Sequence, residues 1–250
     1  MGKIVAIGGG EISKHETLAI DKEIIRLSGK EQPKVLFIPT ASSDASGYID
    51  DFVDYYGNHL GCIVDILKLI DQPIDIQEIS KKIVTSDIIY VGGGNTLKMM
   101  TLWRKLGIDI VLKKAYQKGI VLCGLSAGAI CWFAHGNSDS RQFKNPAAPL
   151  IKVRGLGLLN GLLCPHYHSK KYGKGRVSSL KNMMKKTSGV ALAVDDFCAL
   201  AIVDGNYKVI TSRPESCAYK VYWSKGESCH EKIEQASTFK PIEDLFLKNV

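Results

Sequence analysis

The sequence predicts an α/β fold: a doubly wound, mostly parallel sheet flanked by helices. Three observations carry that prediction. Short apolar, β-branched runs alternate with longer amphipathic runs along most of the chain. The short runs are apolar on both faces, as strands covered by helices on both sides must be. Several end in glycine or a turn residue, at the strand ends where open α/β sheets hold their ligands.

Taken in order, "KIVAIGG" (3–9) reads as a buried strand ending in glycine. "HETLAIDKEIIRLSG" (15–29) reads as a helix, with Leu18, Ile24, Ile25 and Leu27 near helical spacing and Gly29 as its stop. "KVLFIPTAS" (34–42) is the next strand and "IDDFVDYYGNHLG" (49–61) the next helix. "IVDILKLI" follows as a strand, "DIQEISKKIVTS" as a helix, and "DIIYVGGGNT" (87–96) as a strand running into glycines. "TLKMMTLWRKLG" and "IDIVLKKAYQKG" are two helices. "IVLCGLSAG" is a strand, and "AICWFAHG" is expected to continue from it as a helix. "GLGLLNGLLCPHY" and "ALAVDDFCALAIVDGNYKVI" add strands, the second with a hairpin signal at Asp204–Asn206. "VSSLKNMMKKTSG" between them is a helix.

No linker or low-complexity stretch interrupts this pattern, and 250 residues suit one large domain. The expectation is a single domain over residues 1–250, with 213–250 as a C-terminal extension. The net charge is +8, concentrated partly in "HSKKYGKGR" (168–176) and "KNMMKK" (181–186). No aromatic-basic module accompanies it, so a solvated basic surface is expected rather than a nucleic-acid site. Seven cysteines, an odd number without CxxC spacing, read as free thiols of a reducing compartment. Neither a signal peptide nor an apolar run of membrane-spanning length is present, so a cytoplasmic protein without a membrane partner is expected.

The chemistry centres on "GLSAG", a G-x-S-x-G pattern after an apolar strand and before a helix. That is the setting of a nucleophile elbow, in which Gly124 and Gly128 relieve crowding around Ser126. The competing reading makes Ser126 a helix N-cap. The N–H of Ala127 opens the following helix, has no intrahelical acceptor, and can supply half of an oxyanion hole. "GGGNT" lacks the ending of a phosphate-binding loop and the spacing of a dinucleotide fingerprint. Gly93 and Gly94 can instead supply the other half of the hole, with Asn95 beside them, or the stretch is a tight turn capped by Asn95 or Thr96.

A serine nucleophile needs a base. His166, after "LLCP", is the first choice and His168 the second; they share one face of an extended segment, so position alone does not separate them. His135 is expected at the end of the elbow helix as a partner of its dipole. The orienting acid is expected to be Asp139 or Asp196, the latter beside Asp195 at the end of "VALAV".

With GGGNT at 92–96, GLSAGA at 124–129 and Pro165–His166 after an apolar strand, the chain resembles peptidase family S51, the serine peptidases that include peptidase E (aspartyl dipeptidase) and cyanophycinase. The likeness runs from Lys3 to about Ile210. It implies a fold like class I glutamine amidotransferases, Ser126 as nucleophile, His166 as base, and Gly93–Gly94 in the oxyanion hole. It also implies an acid after the elbow helix, matching Asp139, or after a later strand, matching Asp196. A small peptide substrate follows from it, Asp-X dipeptides among them, with Arg176 or a lysine within 170–174 receiving a substrate carboxylate. No cofactor or metal is expected, and the protein is expected as a monomer or homodimer. The alternatives are an α/β-hydrolase esterase using a late histidine such as His230, a cysteine enzyme using Cys123 or Cys131, and a peptide-binding protein without turnover.

Overall fold

The computed structural model describes residues 2–70, 75–173 and 175–247. In chain order the first half contains β1 (Lys3–Ile7), α1 (Leu18–Ser28), β2 (Lys34–Ile38), α2 (Ser46–Phe52), β3 (Ile63–Ile66), α3 (Ile76–Val84), β4 (Ile88–Val91), α4 (Thr96–Leu106), α5 (Ile108–Gln117) and β5 (Val121–Leu125). This is the predicted alternation. One departure is the helix expected over 49–61, which leaves α geometry after Phe52 and continues as a π-helix, Val53–His59. Its Tyr55 and Tyr56 both donate to the fully buried carboxylate of Asp21 on α1.

A larger departure follows β5. The elbow helix, α6 (Ala127–Ile130), is a single turn. The chain then becomes strand β6 (Phe133–Ser138), so the helix expected over "AICWFAHG" is not formed and His135 caps nothing. The reason is packing. A side chain at Gly136 would collide with Ile130, so the strand lies directly on the helical turn. Pairing with a second sheet then supplies hydrogen bonds that a longer helix would have made internally. The His135 pKa is lowered by burial and by the charges of Lys152 and Arg154.

The remaining elements are β7 (Ile151–Arg154), β8 (Leu159–Cys164), α7 (Arg176–Lys185), β9 (Val190–Val194), β10 (Cys198–Val203), β11 (Asn206–Thr211), β12 (Ala218–Ser224), β13 (Glu227–Ile233) and β14 (Lys240–Pro241). Two mixed sheets result, ordered β14-β11-β10-β1-β5-β4-β2-β3 and β13-β12-β9-β8-β6-β7. Parallel pairing links β1, β5, β4, β2 and β3 in the first sheet and β6, β8 and β9 in the second. The C-terminal segment is built into these sheets: β12 pairs with β9, and β14 with β11.

Strand alternation sends neighbouring side chains to opposite layers. Val35 and Phe37 of β2 join α1 and α2 in one apolar cluster. Leu36 and Ile38 join α3, α4, α5 and the inner face of the second sheet in another. The outer face of the second sheet packs under Leu180 and Met184 of α7. Each fully buried aliphatic side chain contributes about 1.5–3 kcal/mol over the exposed state. This packing fixes the strand ends, and the sheet edge they form carries the site.

Candidate active site

Ser126 follows β5 with φ 55° and ψ −106°, a sparsely populated backbone conformation for a residue with a side chain. The turn is possible because nothing projects from its flanks. A Cβ at Gly124 would collide with the Gly128 backbone, and one at Gly128 with the carbonyl of Val91. The serine hydroxyl makes no N-cap bond. It lies 2.8 Å from His166 Nε2, and the other ring nitrogen, Nδ1, lies 2.5 Å from Asp196 Oδ1.

Three successive carbonyls at the end of β1 hold this arrangement. Ile7 O accepts from Ser126 N at 3.0 Å, Gly8 O from His166 N at 3.2 Å, and Gly9 O from Phe197 N, next to Asp196, at 2.8 Å. Ser126, His166 and Phe197 all have positive φ. A side chain on Gly9 would strike both Asp196 Oδ1 and the His166 ring, so only glycine lets that pair sit on the strand end.

Of the two expected acids it is Asp196 that meets the His166 ring, while Asp139 lies against another partner. Asp139 Oδ2 accepts from the Arg176 guanidinium at 2.7 Å. Arg176 is almost fully buried and also donates to the carbonyls of Tyr172 and Asn137. A buried guanidinium needs a counter-charge, and Asp139 supplies it. Burial pushes the Asp196 pKa up, but hydrogen bonding to His166, the His166 charge, the Ser169 hydroxyl and the Arg176 charge outweigh it, and the net shift is downward.

His168, the second-choice base, makes its own pair: its Nδ1 lies 3.0 Å from Asp195 Oδ1. His230 Nδ1 meets the Tyr167 hydroxyl at 2.8 Å, leaving no role for it at Ser126. Burial raises the thiol pKa values of Cys123 and Cys131 well above normal, which disfavours the reactive thiolate.

Gly93 lies beside Ser126: a Cβ there would stand 3.7 Å from the serine Cβ. Its N–H points to the hydroxyl of Tyr48, 3.4 Å away. Gly94 presses against the backbone of Ala41 and Ser42. Asn95 is engaged within the protein. Its N–H goes to Ala41 O, its Oδ1 caps α4 at Lys98 N, and its Nδ2 donates to Ser140 O. Ala127 begins α6, so its N–H has no acceptor within the helix.

Ser126, His166, Gly93, Gly94 and Tyr48 line a cleft of about 490 Å³, walled further by Glu11, Ile12, Asp51, Asp139, Phe143 and Tyr172. No lysine or arginine lines it among the described residues. Arg176 is turned away, Lys171 pairs with Glu11 at 2.8 Å, and Lys174 lies outside the described residues. Sequence reasoning missed Tyr48 and placed Gly9 only within a glycine run at a strand end. Tyr48 carried no motif; Gly9 belonged to the glycine run after β1, whose meaning depends on what packs against it.

Among the described residues, no helix is long and apolar enough to cross a membrane. The family model for peptidase family S51 matches residues 4–210. The chain is 37% identical over 223 residues to the uncharacterized peptidase YgaJ of Bacillus subtilis (strain 168), covering 88% of this chain and 92% of that one. It is 28% identical over 142 residues to the uncharacterized peptidase PM1590 of Pasteurella multocida (strain Pm70), covering 55% of this chain and 66% of that one. Among solved structures, a peptidase from an acI-B1 Actinobacterium superposes with a TM-score of 0.70 at 18% identity, covering 96% and 97% of the two chains. A protein of Listeria monocytogenes EGD-e, provisionally named a peptidase E, superposes with a TM-score of 0.66 at 20% identity, covering 84% and 98%.

Proposed function

Because the chain belongs to peptidase family S51, we propose that it hydrolyses small peptides through an acyl-enzyme on Ser126. The observation that carries this reading is the hydrogen-bonded line from Ser126 Oγ through the His166 ring to Asp196. Ser126 Oγ attacks the scissile carbonyl while His166 Nε2 takes its proton. Asp196 holds the ring through Nδ1 and stabilises the imidazolium that forms. The carbonyl oxygen becomes negative as the new C–O bond closes, and the Ala127 N–H stands at the helix start to receive it. His166 then returns the proton to the departing amine, and water releases the acyl group by the same steps.

The cleft's size suits a short peptide rather than a folded chain. An aspartate preference has less behind it, since Glu11, Asp51 and Asp139 line the cleft and no lysine or arginine does among the described residues. Asp-X dipeptides therefore belong in the test beside neutral and basic X-X dipeptides, not ahead of them. The test is hydrolysis of a dipeptide and aryl-amide panel by wild type and Ser126→Ala, with fluorophosphonate labelling of the same samples. Loss of both turnover and labelling in the folded variant is the expected result. Turnover that survives in Ser126→Ala overturns the reading, and peptide binding without turnover in wild type would instead fit a protein that only binds.

A further inference from the structure

We propose that Phe143 and Tyr172 form an aromatic clamp at the mouth of the Ser126 cleft, and that this clamp takes an apolar side chain of the peptide substrate. The inference rests on the serine-peptidase reading above and names a substrate class for it: short peptides with leucine, phenylalanine or a similar residue beside the scissile bond. Both rings line the cleft that holds Ser126 and His166. Phe143 is 61% exposed and Tyr172 45%, and neither belongs to the three apolar clusters of the core. A single exposed ring needs no explanation. Two that open on the cleft of one nucleophile are apolar surface that a bound ligand removes from water.

Both rings stand on segments that the protein holds in place. The loop carrying Phe143 is closed by its own hydrogen bonds: Gln142 N donates to Asp139 O at 2.7 Å, Asn145 N to Arg141 O at 3.1 Å, and Gln142 Nε2 to Ala148 O at 2.9 Å. Its foot is tied to the start of α4, where Leu97 N donates to Ser140 Oγ at 3.0 Å. Tyr172 N donates to Ser169 Oγ at 3.1 Å, and its ring lies 5.1 Å from the His166 ring. One buried side chain joins the two segments. Arg176 donates from Nε to the Tyr172 carbonyl at 3.0 Å and from Nη2 to the Asp139 carboxylate at 2.7 Å. The feet of both rings are therefore fixed by one guanidinium, and a substrate closing on them has little to order. Charge points the same way. Of the three carboxylates in the cleft, Glu11 is paired with Lys14 and Lys171, and Asp139 with Arg176. An acidic substrate side chain would meet these carboxylates with no lysine or arginine lining the cleft to receive it, among the described residues. An apolar one covers the rings without that cost.

A dipeptide matrix with Ala, Leu, Phe, Asp or Lys at each position tests the clamp. At one of the two positions, Phe and Leu should give kcat/KM at least about tenfold above both Ala and Asp. Phe143→Ala should cut that Phe-over-Ala ratio about tenfold without lowering the melting temperature, since the ring packs on no core cluster. Phe143→Leu, which keeps apolar surface at the rim, should retain most of the ratio. Tyr172→Ala should also lower it; any disturbance of His166 in that variant falls on all substrates alike and cancels in the ratio. Equal kcat/KM for Ala and Phe at both positions overturns the proposal. So does an unchanged ratio in folded Phe143→Ala, and so does a preference for Asp over Phe at both positions. A binding arm needs no turnover: by calorimetry, Ser126→Ala should bind the preferred Phe dipeptide more tightly than dialanine, and Ser126→Ala/Phe143→Ala should lose that difference. A wild type that hydrolyses nothing while this difference holds overturns the serine reading alone. Ser126-dependent turnover without an apolar preference overturns the clamp alone.

Discussion

Two histidine–aspartate pairs lie side by side in this molecule, drawn from the same two segments. His166 meets Asp196, and His168 meets Asp195. In composition they are equivalent, yet their settings differ in every respect that matters to catalysis. The His166 side chain is 8% exposed and has Ser126 across its other ring nitrogen; the His168 side chain is 49% exposed and lines the adjoining hollow with Lys170 and Arg213, which shares Gly10, Glu11 and Tyr172 with the Ser126 cleft. Asp195 also accepts from the backbone N–H of His168 and of Cys217, so it ties two loops together. The difference teaches that a histidine and an acid in contact do not make a catalytic base. A left-handed turn at His166, held by Gly8 O, separates the two pairs by aiming one ring at the serine.

The sharpest way to break this comparison is to exchange the losses. His166→Ala should lower kcat for peptide hydrolysis by about 10⁴-fold or more, alongside Ser126→Ala. His168→Ala should leave it within about twofold. Equal losses would show that the two pairs share the work.

The acids come next. Asp196→Asn should cost about 10³–10⁴-fold in kcat by letting the ring take the wrong tautomer. Asp195→Asn should instead appear as a stability loss of about 1–3 kcal/mol in denaturant unfolding, because it strands buried donors. Asp139→Asn tests the other candidate acid: it uncovers the buried Arg176 and should reduce stability more than chemistry. A larger kcat loss in Asp139→Asn than in Asp196→Asn would restore Asp139 as the orienting acid.

Gly9→Ala is a smaller intervention at the His166–Asp196 pair alone. The added methyl group pushes His166 and Asp196 off the strand end. A kcat loss of about 100-fold is expected from a displacement of this kind, read by steady-state kinetics with far-ultraviolet circular dichroism to check the fold. Wild-type rates would show that the pair tolerates movement.

The gentlest test uses a carboxylate with no histidine at all. Asp21 is fully buried among the hydroxyls of Thr17, Tyr55 and Tyr56. Burial raises its pKa from 3.8 to about 6, against the lowering effect of those hydrogen bonds. The folded state then holds a proton that the unfolded chain has released, so stability is lost as pH rises from about 4 to about 6 and is level above that. The contribution is at most about 3 kcal/mol. Unfolding midpoints for wild type and Asp21→Asn across that window should converge at low pH and differ in slope; parallel curves would place the Asp21 pKa near its ordinary value.

The sequence made the first half of the fold readable because parallel strands covered on both faces are apolar runs bounded by glycine. It also made Ser126 and His166 readable, since each sits in a motif whose backbone demands leave a trace in neighbouring residues. The second sheet was harder. "AICWFAHG" carries one turn of helix and the start of a strand in eight residues, and the boundary between them depends on Gly136 meeting Ile130. The acid was legible only as a pair of candidates. Asp139 and Asp196 look alike as loop carboxylates, and what separates them is the buried Arg176, a partner 37 positions beyond Asp139. Tyr48 left no trace because a single hydroxyl on a helix has no spacing to read.

The carbonyls of Ile7, Gly8 and Gly9 make the first strand an assembly jig for parts delivered much later in synthesis. Ser126, His166 and Asp196 emerge far apart along the chain, and each segment docks on the same three-residue ledge. A polypeptide stripped of its opening ten residues would still carry every reacting side chain, yet would have nowhere to gather them. Labelling of Ser126 by a fluorophosphonate during refolding would therefore act as a clock for the seating of that ledge, starting only when the oldest part of the chain has met the youngest.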